Sequence, residues 1–244
     1  MSPKTTLRHF TMTLFSATHG LTILILTIIG GLLIHFGRRQ KIGPRFCLAL
    51  ICLLVYPINQ LAFSTLSQRF PLDNIIPGHL CDIAAFTAGF ALLTKRPLLC
   101  ELTYCWGLAG TLQGLITPNL AYNFPHPVFF SFFIQHGVIV IAALYLPLAM
   151  NWKPRPGTVI RIFIWNQIYF LLALIANFSL GTNFGFLLEK PATASLLDQL
   201  GDWPIYLFWL QILATALVIL LLLPFSKSIN IWRLSRIGVS ETHE

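Results

Sequence analysis

Seven stretches of apolar sequence, each near the length that crosses a lipid bilayer, divide this chain from one end to the other. A helix needs roughly 20 apolar residues to cross about 30 Å of hydrocarbon. The stretches run approximately over 14–36, 46–67, 77–94, 98–117, 127–149, 158–178 and 204–225. Prolines and glycines stand where helices should start: Gly43-Pro44, Pro77-Gly78, Pro97, Pro127, Pro156-Gly157 and Pro204. The predicted fold class is all-α, a polytopic membrane protein forming a single seven-transmembrane-helix bundle over residues 1–244. Composition removes the alternatives. Charged residues are 10% of the chain, against about a quarter in a soluble domain. An ordinary soluble enzyme, a disordered chain and a disulfide-stapled secreted domain are therefore excluded.

The net charge of +8 raises nucleic acid as a partner, but the distribution of the cations answers otherwise. With seven spans, one face holds Arg38, Arg39, Lys41, Arg45, Lys95, Arg96, Lys153, Arg155, Arg161, Lys227, Arg233 and Arg236, which are 12 of the 16 basic residues. The other face holds Lys4, Arg8, Arg69 and Lys190. Positive residues stay inside, so an outside N-terminus and a cytoplasmic C-terminus are predicted, with lipids and not nucleic acid as partners. Nothing in the sequence specifies an oligomeric state. Lys4 and Arg8 suit a signal peptide, yet the first apolar run is long and ends in Ile34-His35-Phe36-Gly37-Arg38 without a small-x-small cleavage site. It reads as a retained helix. The longest outer loop, 179–203, is predicted to hold a short helix near 193–201 with Thr193 as its cap.

The chain lacks a P-loop, a dinucleotide-binding glycine pattern and a nucleophile elbow, so no nucleotide cofactor is expected. No C-x-x-C or H-x-x-x-H spacing suggests a metal. Of the five cysteines, Cys47, Cys52, Cys100 and Cys105 fall in cytoplasmic halves of spans and only Cys81 lies toward the outside. An outside disulfide is not expected.

Polar groups concentrate at the outer ends of the spans, where burial in hydrocarbon makes them costly and hence informative. His79, Cys81 and Asp82 open span three; Gln113, Thr117 and Asn119 close span four; Gln135 and His136 lie inside span five. Asn177 and Asn183 end span six, and Asp202, Trp203 and Tyr206 open span seven. A polar pocket facing the outer leaflet is the simplest arrangement. Helical rise puts Cys81 about 6 Å and His136 about 13 Å below the outer ends of their spans, an offset of roughly 7–8 Å. Each residue also has a plainer reading. Asp82 suits a first helical turn through the dipole. Cys81 suits a small buried apolar position. Gln135 and His136 suit interhelical hydrogen bonding. Glu101, one turn inside the cytoplasmic edge, is expected to pair with Lys95 or Arg96.

The segments His-Leu-Cys-Asp-Ile-Ala-Ala-Phe (79–86), Trp-Gly-Leu-Ala-Gly-Thr-Leu-Gln-Gly-Leu-Ile-Thr-Pro-Asn-Leu (106–120), Phe-Pro-His-Pro and Gln-His-Gly resemble the YwaF-like integral membrane proteins of bacteria. So does Glu-Lys-Pro followed by Ser-Leu-Leu-Asp-Gln-Leu-Gly-Asp-Trp-Pro. The resemblance covers about 20–224 and implies a multi-pass protein of the bacterial cytoplasmic membrane. That family is more distantly similar to eukaryotic transmembrane protein 164, regarded as a phospholipid acyltransferase with a membrane-embedded cysteine supported by histidine. The resemblance implies Cys81 as acyl-accepting nucleophile and His136 as base, acting on phospholipid without metal or other cofactor. His79, Asp82, Gln113, Asn119 and Gln135 would bind substrate or support the pair, with Gln113, Asn119 or Gln135 donating to an oxyanion. The competing reading is a non-catalytic protein that binds or transports a small molecule or lipid. A third is a structural partner in a membrane complex.

Overall fold

A computed structural model of the chain describes residues 13–39, 42–64, 75–120, 122–191 and 195–226. Among the described residues there are seven long helices and no strand. They are α1 (Ala17–Arg38), α2 (Ile42–Ser64), α3 (Leu80–Thr94), α4 (Pro97–Cys105, continued by Trp106–Thr111 and Leu112–Ile116), α5 (Pro127–Ala149), α6 (Thr158–Leu180) and α7 (Ile205–Ser226). Five of them, α1, α2, α5, α6 and α7, are long and apolar enough to cross a membrane. Helix α3 has 15 residues, about 22 Å of rise.

The helix ends follow from the chain's punctuation. Pro97 and Pro127 occupy the first turns of α4 and α5, where a missing N–H costs nothing. His126 caps α5 through Nδ1, which accepts from Val128 N at 3.2 Å. Gly157 and Gly181, both in the left-handed region, bracket α6. Between α3 and α4 the turn is two residues, Lys95 in the left-handed region and Arg96 extended, so the two helices run antiparallel in contact.

Helix α5 is the centre of the bundle. Within its most apolar window 78% of residues are buried, against 11% in α1 and 17% in α6 and α7. Helices α1 to α4 pack around it, while α7 lies against the middle of α4 and beside α6. Small residues allow the close approaches. A Cβ at Gly107 would meet the Ala143 methyl at 2.8 Å, and one at Gly89 would meet Leu53 at 2.6 Å. The outer helices turn leucine, isoleucine and phenylalanine outward, among them Leu24, Ile28, Leu171, Leu172 and Phe208. In water such a surface would aggregate; in lipid it is solvated.

At the end of the bundle where α4 begins, Glu101 is fully buried. Its carboxylate accepts from Arg155 Nε at 3.0 Å, Arg161 Nη2 at 2.7 Å and Thr158 Oγ1 at 2.9 Å. The expected pairing with Lys95 or Arg96 is thus corrected. Both of those cations lie on the same turn as the start of α4, whereas the carboxylate points inward, toward the loop that leads into α6. Glu101 holds the Arg155 guanidinium above its ordinary pKa. The knot fastens the α5–α6 loop to α4.

Residues 181–191 and 195–204 fold back over the opposite end. Asn177 holds its start, accepting from Phe184 N at 2.7 Å and donating to Phe184 O at 3.0 Å. Tyr206 donates to Phe186 O at 2.7 Å and Trp203 Nε1 to Leu187 O at 3.2 Å. The short helix expected near 193–201 is a 3₁₀ turn, Leu196–Leu200, with Asp198 accepting from Ser195 N at 2.7 Å. Thr193 lies outside the described residues.

Candidate functional site

Between α3, α4 and α5 on one side and α6 and α7 on the other lies a cavity of about 470 Å³, roofed by residues 185–191 and 195–200. All seven residues singled out from the sequence border it: His79, Cys81, Asp82, Gln113, Asn119, Gln135 and His136. Among the bordering residues Asp82 is the one carboxylate, and no lysine or arginine joins it. Toward the knot end the wall turns apolar, with Ala109, Leu213, Ala214, Leu217 and Val218. The Tyr104 hydroxyl, donating to Leu221 O at 3.1 Å, ties α4 to α7 below it.

Helix α3 begins beside the part of α5 that holds Gln135 and not level with the end of α5. Gln135 Nε2 donates to Asp82 Oδ1 at 2.7 Å, which sets the first turn of α3 level with the middle of α5. Chain 77–79 reaches this depth by passing under the roof. Gly78 lies on the Phe184 ring, where a Cβ would clash. Tyr169 donates to Gly78 O at 3.2 Å, and the His79 ring sits edge-on to Phe184 at 5.5 Å.

The Gln135–Asp82 bond is the end of a longer chain. Ser131 Oγ donates to Asn59 Oδ1 at 2.6 Å, and Asn59 Nδ2 donates to Gln135 Oε1 at 2.9 Å. Helices α2, α3 and α5 are therefore cross-linked by buried polar groups, and the Gln135 amide is engaged at both its oxygen and its nitrogen. One N–H of the Gln135 amide is committed to Asp82 and its second N–H remains, in a side chain that borders the cavity. Gln135 positions the carboxylate of Asp82 and the register of α3.

His136 is held for a single tautomer. Its Nδ1 lies 2.9 Å from Phe132 O, and a carbonyl only accepts, so Nδ1 carries the proton. The ring stacks on Phe132 at 4.1 Å. That leaves the Nε2 lone pair without a hydrogen-bond partner among the described residues, in a side chain that borders the cavity. Gly114 supplies the space: a Cβ there would stand 2.7 Å from Nε2 and would clash with the ring carbon beside it. His19, on α1, fixes this part of α4 by donating from Nε2 to Leu115 O at 2.8 Å.

Helix α4 changes character beside the cavity. Trp106–Thr111 is a π-helical segment, a rare form that is frequent at functional sites. Trp106 Nε1 donates to Asn166 Oδ1 on α6 at 2.8 Å. Asn59, Gln60, Thr111, Gly114 and Tyr169 also border the cavity and were missed by sequence reasoning. For Asn59 and Gln60 a signal existed: two adjacent amides inside span two. The π segment had none beyond Gly107 and Gly110. Among the described residues no three histidine, cysteine or acidic side chains gather as a metal site.

The fold and cavity together define a multi-pass helical membrane protein with a partly open, largely apolar cavity in the bundle that carries a few polar groups. Residues 11–222 match the TMEM164 family, and the chain belongs to that family. No curated protein and no solved structure matches it.

Proposed function

We propose that this protein is a lipid acyltransferase or transacylase of the bacterial cytoplasmic membrane, with Cys81 as nucleophile and His136 as base. Its seven helices span as one domain, the N-terminus outside and the C-terminus cytoplasmic, and the chamber opens toward the outer leaflet. His136 Nε2 takes the thiol proton of Cys81, and the thiolate attacks the acyl carbonyl of a phospholipid. The tetrahedral intermediate collapses with loss of the lysolipid alkoxide, which takes the proton from His136. A hydroxyl acceptor then attacks the thioester by the reverse sequence. His79 and Asp82 line the side of the chamber below the roof, and Gln113 and Asn119 the α4 side.

The observation that carries this reading is the shared chamber. Cys81 and His136, from separate helices, border one cavity, with Nε2 unprotonated and unoccupied by any described partner. A thiol in apolar surroundings is inert without such a base. The apolar wall of α7 suits an acyl chain. The test is transfer in reconstituted liposomes holding a phospholipid with deuterated acyl chains and a lysolipid acceptor, read by mass spectrometry. Transfer is expected from the intact protein and is lost in Cys81→Ala and His136→Ala. No transfer by the intact protein, or undiminished transfer by Cys81→Ala, overturns the proposal.

A further inference from the structure

We propose that Thr111 is a catalytic residue, its hydroxyl the hydrogen-bond donor to the oxyanion formed during acyl transfer. The proposal rests on the acyltransferase reading above. Thr111 closes the π segment of α4, is 3% exposed and borders the chamber. Its Oγ1 is buried and has no hydrogen-bond partner among the described residues. That is unusual for a helical threonine, whose hydroxyl ordinarily bonds the carbonyl four residues back. Thr87, Thr94 and Thr117 do so here, at 2.7, 2.7 and 3.1 Å. A buried donor left unmade is costly, so an idle hydroxyl on a residue that borders the chamber is a group awaiting a partner. Arg45 and Thr103 also carry unpartnered buried atoms but do not border the chamber; Ser195 does, from the roof at the start of the 3₁₀ turn and not from α4.

The location fits the chemistry. One residue before Thr111, Gly110 meets Leu80, the neighbour of Cys81; three residues after it, Gly114 meets the His136 ring. Thr111 therefore lies on the stretch of α4 that runs between the nucleophile's helix and the base. With no bond holding the hydroxyl, rotation about Cα–Cβ brings it to the chamber at no hydrogen-bonding loss. As the thiolate of Cys81 forms the C–S bond, the carbonyl π electrons move onto oxygen, and the Thr111 O–H donates to that oxyanion. The Thr111 proton stays on its hydroxyl. On collapse the C–O bond to the leaving alcohol breaks, and that oxygen takes its proton from His136.

The test is the single-turnover rate of acyl-adduct formation on the full-length protein in nanodiscs, with a fluorescent phospholipid as donor. Thr111→Val is expected to slow adduct formation about 100-fold or more, the typical effect of losing one oxyanion donor, with donor binding unchanged. Thr111→Ser should recover to within about tenfold. The melting temperature of Thr111→Val should stay level or rise, since the lost hydroxyl had no partner. A Thr111→Val rate equal to that of the intact protein overturns the role of Thr111 while leaving the acyltransferase reading standing. So does a rate that falls only in step with melting temperature or donor binding. Absence of any Cys81-dependent adduct in the intact protein overturns both.

Discussion

His136 shows how much of a functional side chain is set by residues that do no chemistry. Phe132 O fixes its proton on Nδ1, the Phe132 ring fixes its plane, and the bare α-carbon of Gly114 makes room for it. In Gly114→Ala the new methyl displaces the ring, and a displacement near 1 Å lowers transfer about 100-fold. Transfer rates of the variant in liposomes check this, alongside circular dichroism to verify folding; undiminished transfer contradicts the role given to Gly114. At this scale the sequence was informative where a polar residue interrupts an apolar run: Cys81, Asp82, Gln135 and His136 could each be picked out. It was uninformative where the decisive feature is an absence, as at Gly114, or an unmade bond, as at Thr111. Those properties belong to the neighbours a residue meets after folding.

Among the elements, α4 carries the most local information. Its π segment widens one turn, so the residues after it face differently than an unbroken α-helix would set them. Inserting one alanine between Thr111 and Leu112, where ordinary helical spacing resumes, turns 112–116 by about 100°. Gly114 then leaves His136, and transfer is expected to vanish while helical content by circular dichroism is retained. Retained transfer would show that the facing of 112–116 sets nothing at the site. The start of α4 is anchored differently, through Glu101. Replacing it as Glu101→Gln leaves Arg155 and Arg161 without their carboxylate and is expected to lower unfolding free energy by about 3 kcal/mol. Denaturation in mixed micelles measures this; a loss below about 1 kcal/mol contradicts a structural knot. Sequence reasoning saw Glu101 as paired but chose the cations nearest along the chain, because partners 54 and 60 residues away are a property of the fold.

For the whole molecule, hydropathy made the helical bundle and its approximate boundaries legible, since lipid leaves a backbone few choices. The site was legible only as a level near one end of the bundle, and not as a set of contacts. The start of α3 stayed hidden because residues 77–79 run beneath Phe184, a tertiary arrangement with no periodicity of its own. The proposed orientation places Cys47, exposed on α2, inside, and Asp202, exposed in the roof, outside. In sealed right-side-out vesicles an impermeant maleimide should label Asp202→Cys and spare Cys47 until the membrane is opened. Labelling of both from one side contradicts the seven-span orientation.

The most direct measurement is the intact mass of the purified protein after incubation with a phospholipid of defined acyl chains. A thioester mechanism predicts a gain of one acyl group, removed by neutral hydroxylamine, mapped to Cys81 and absent from Cys81→Ala and His136→Ala. An unmodified mass, or an adduct that persists in Cys81→Ala, contradicts it.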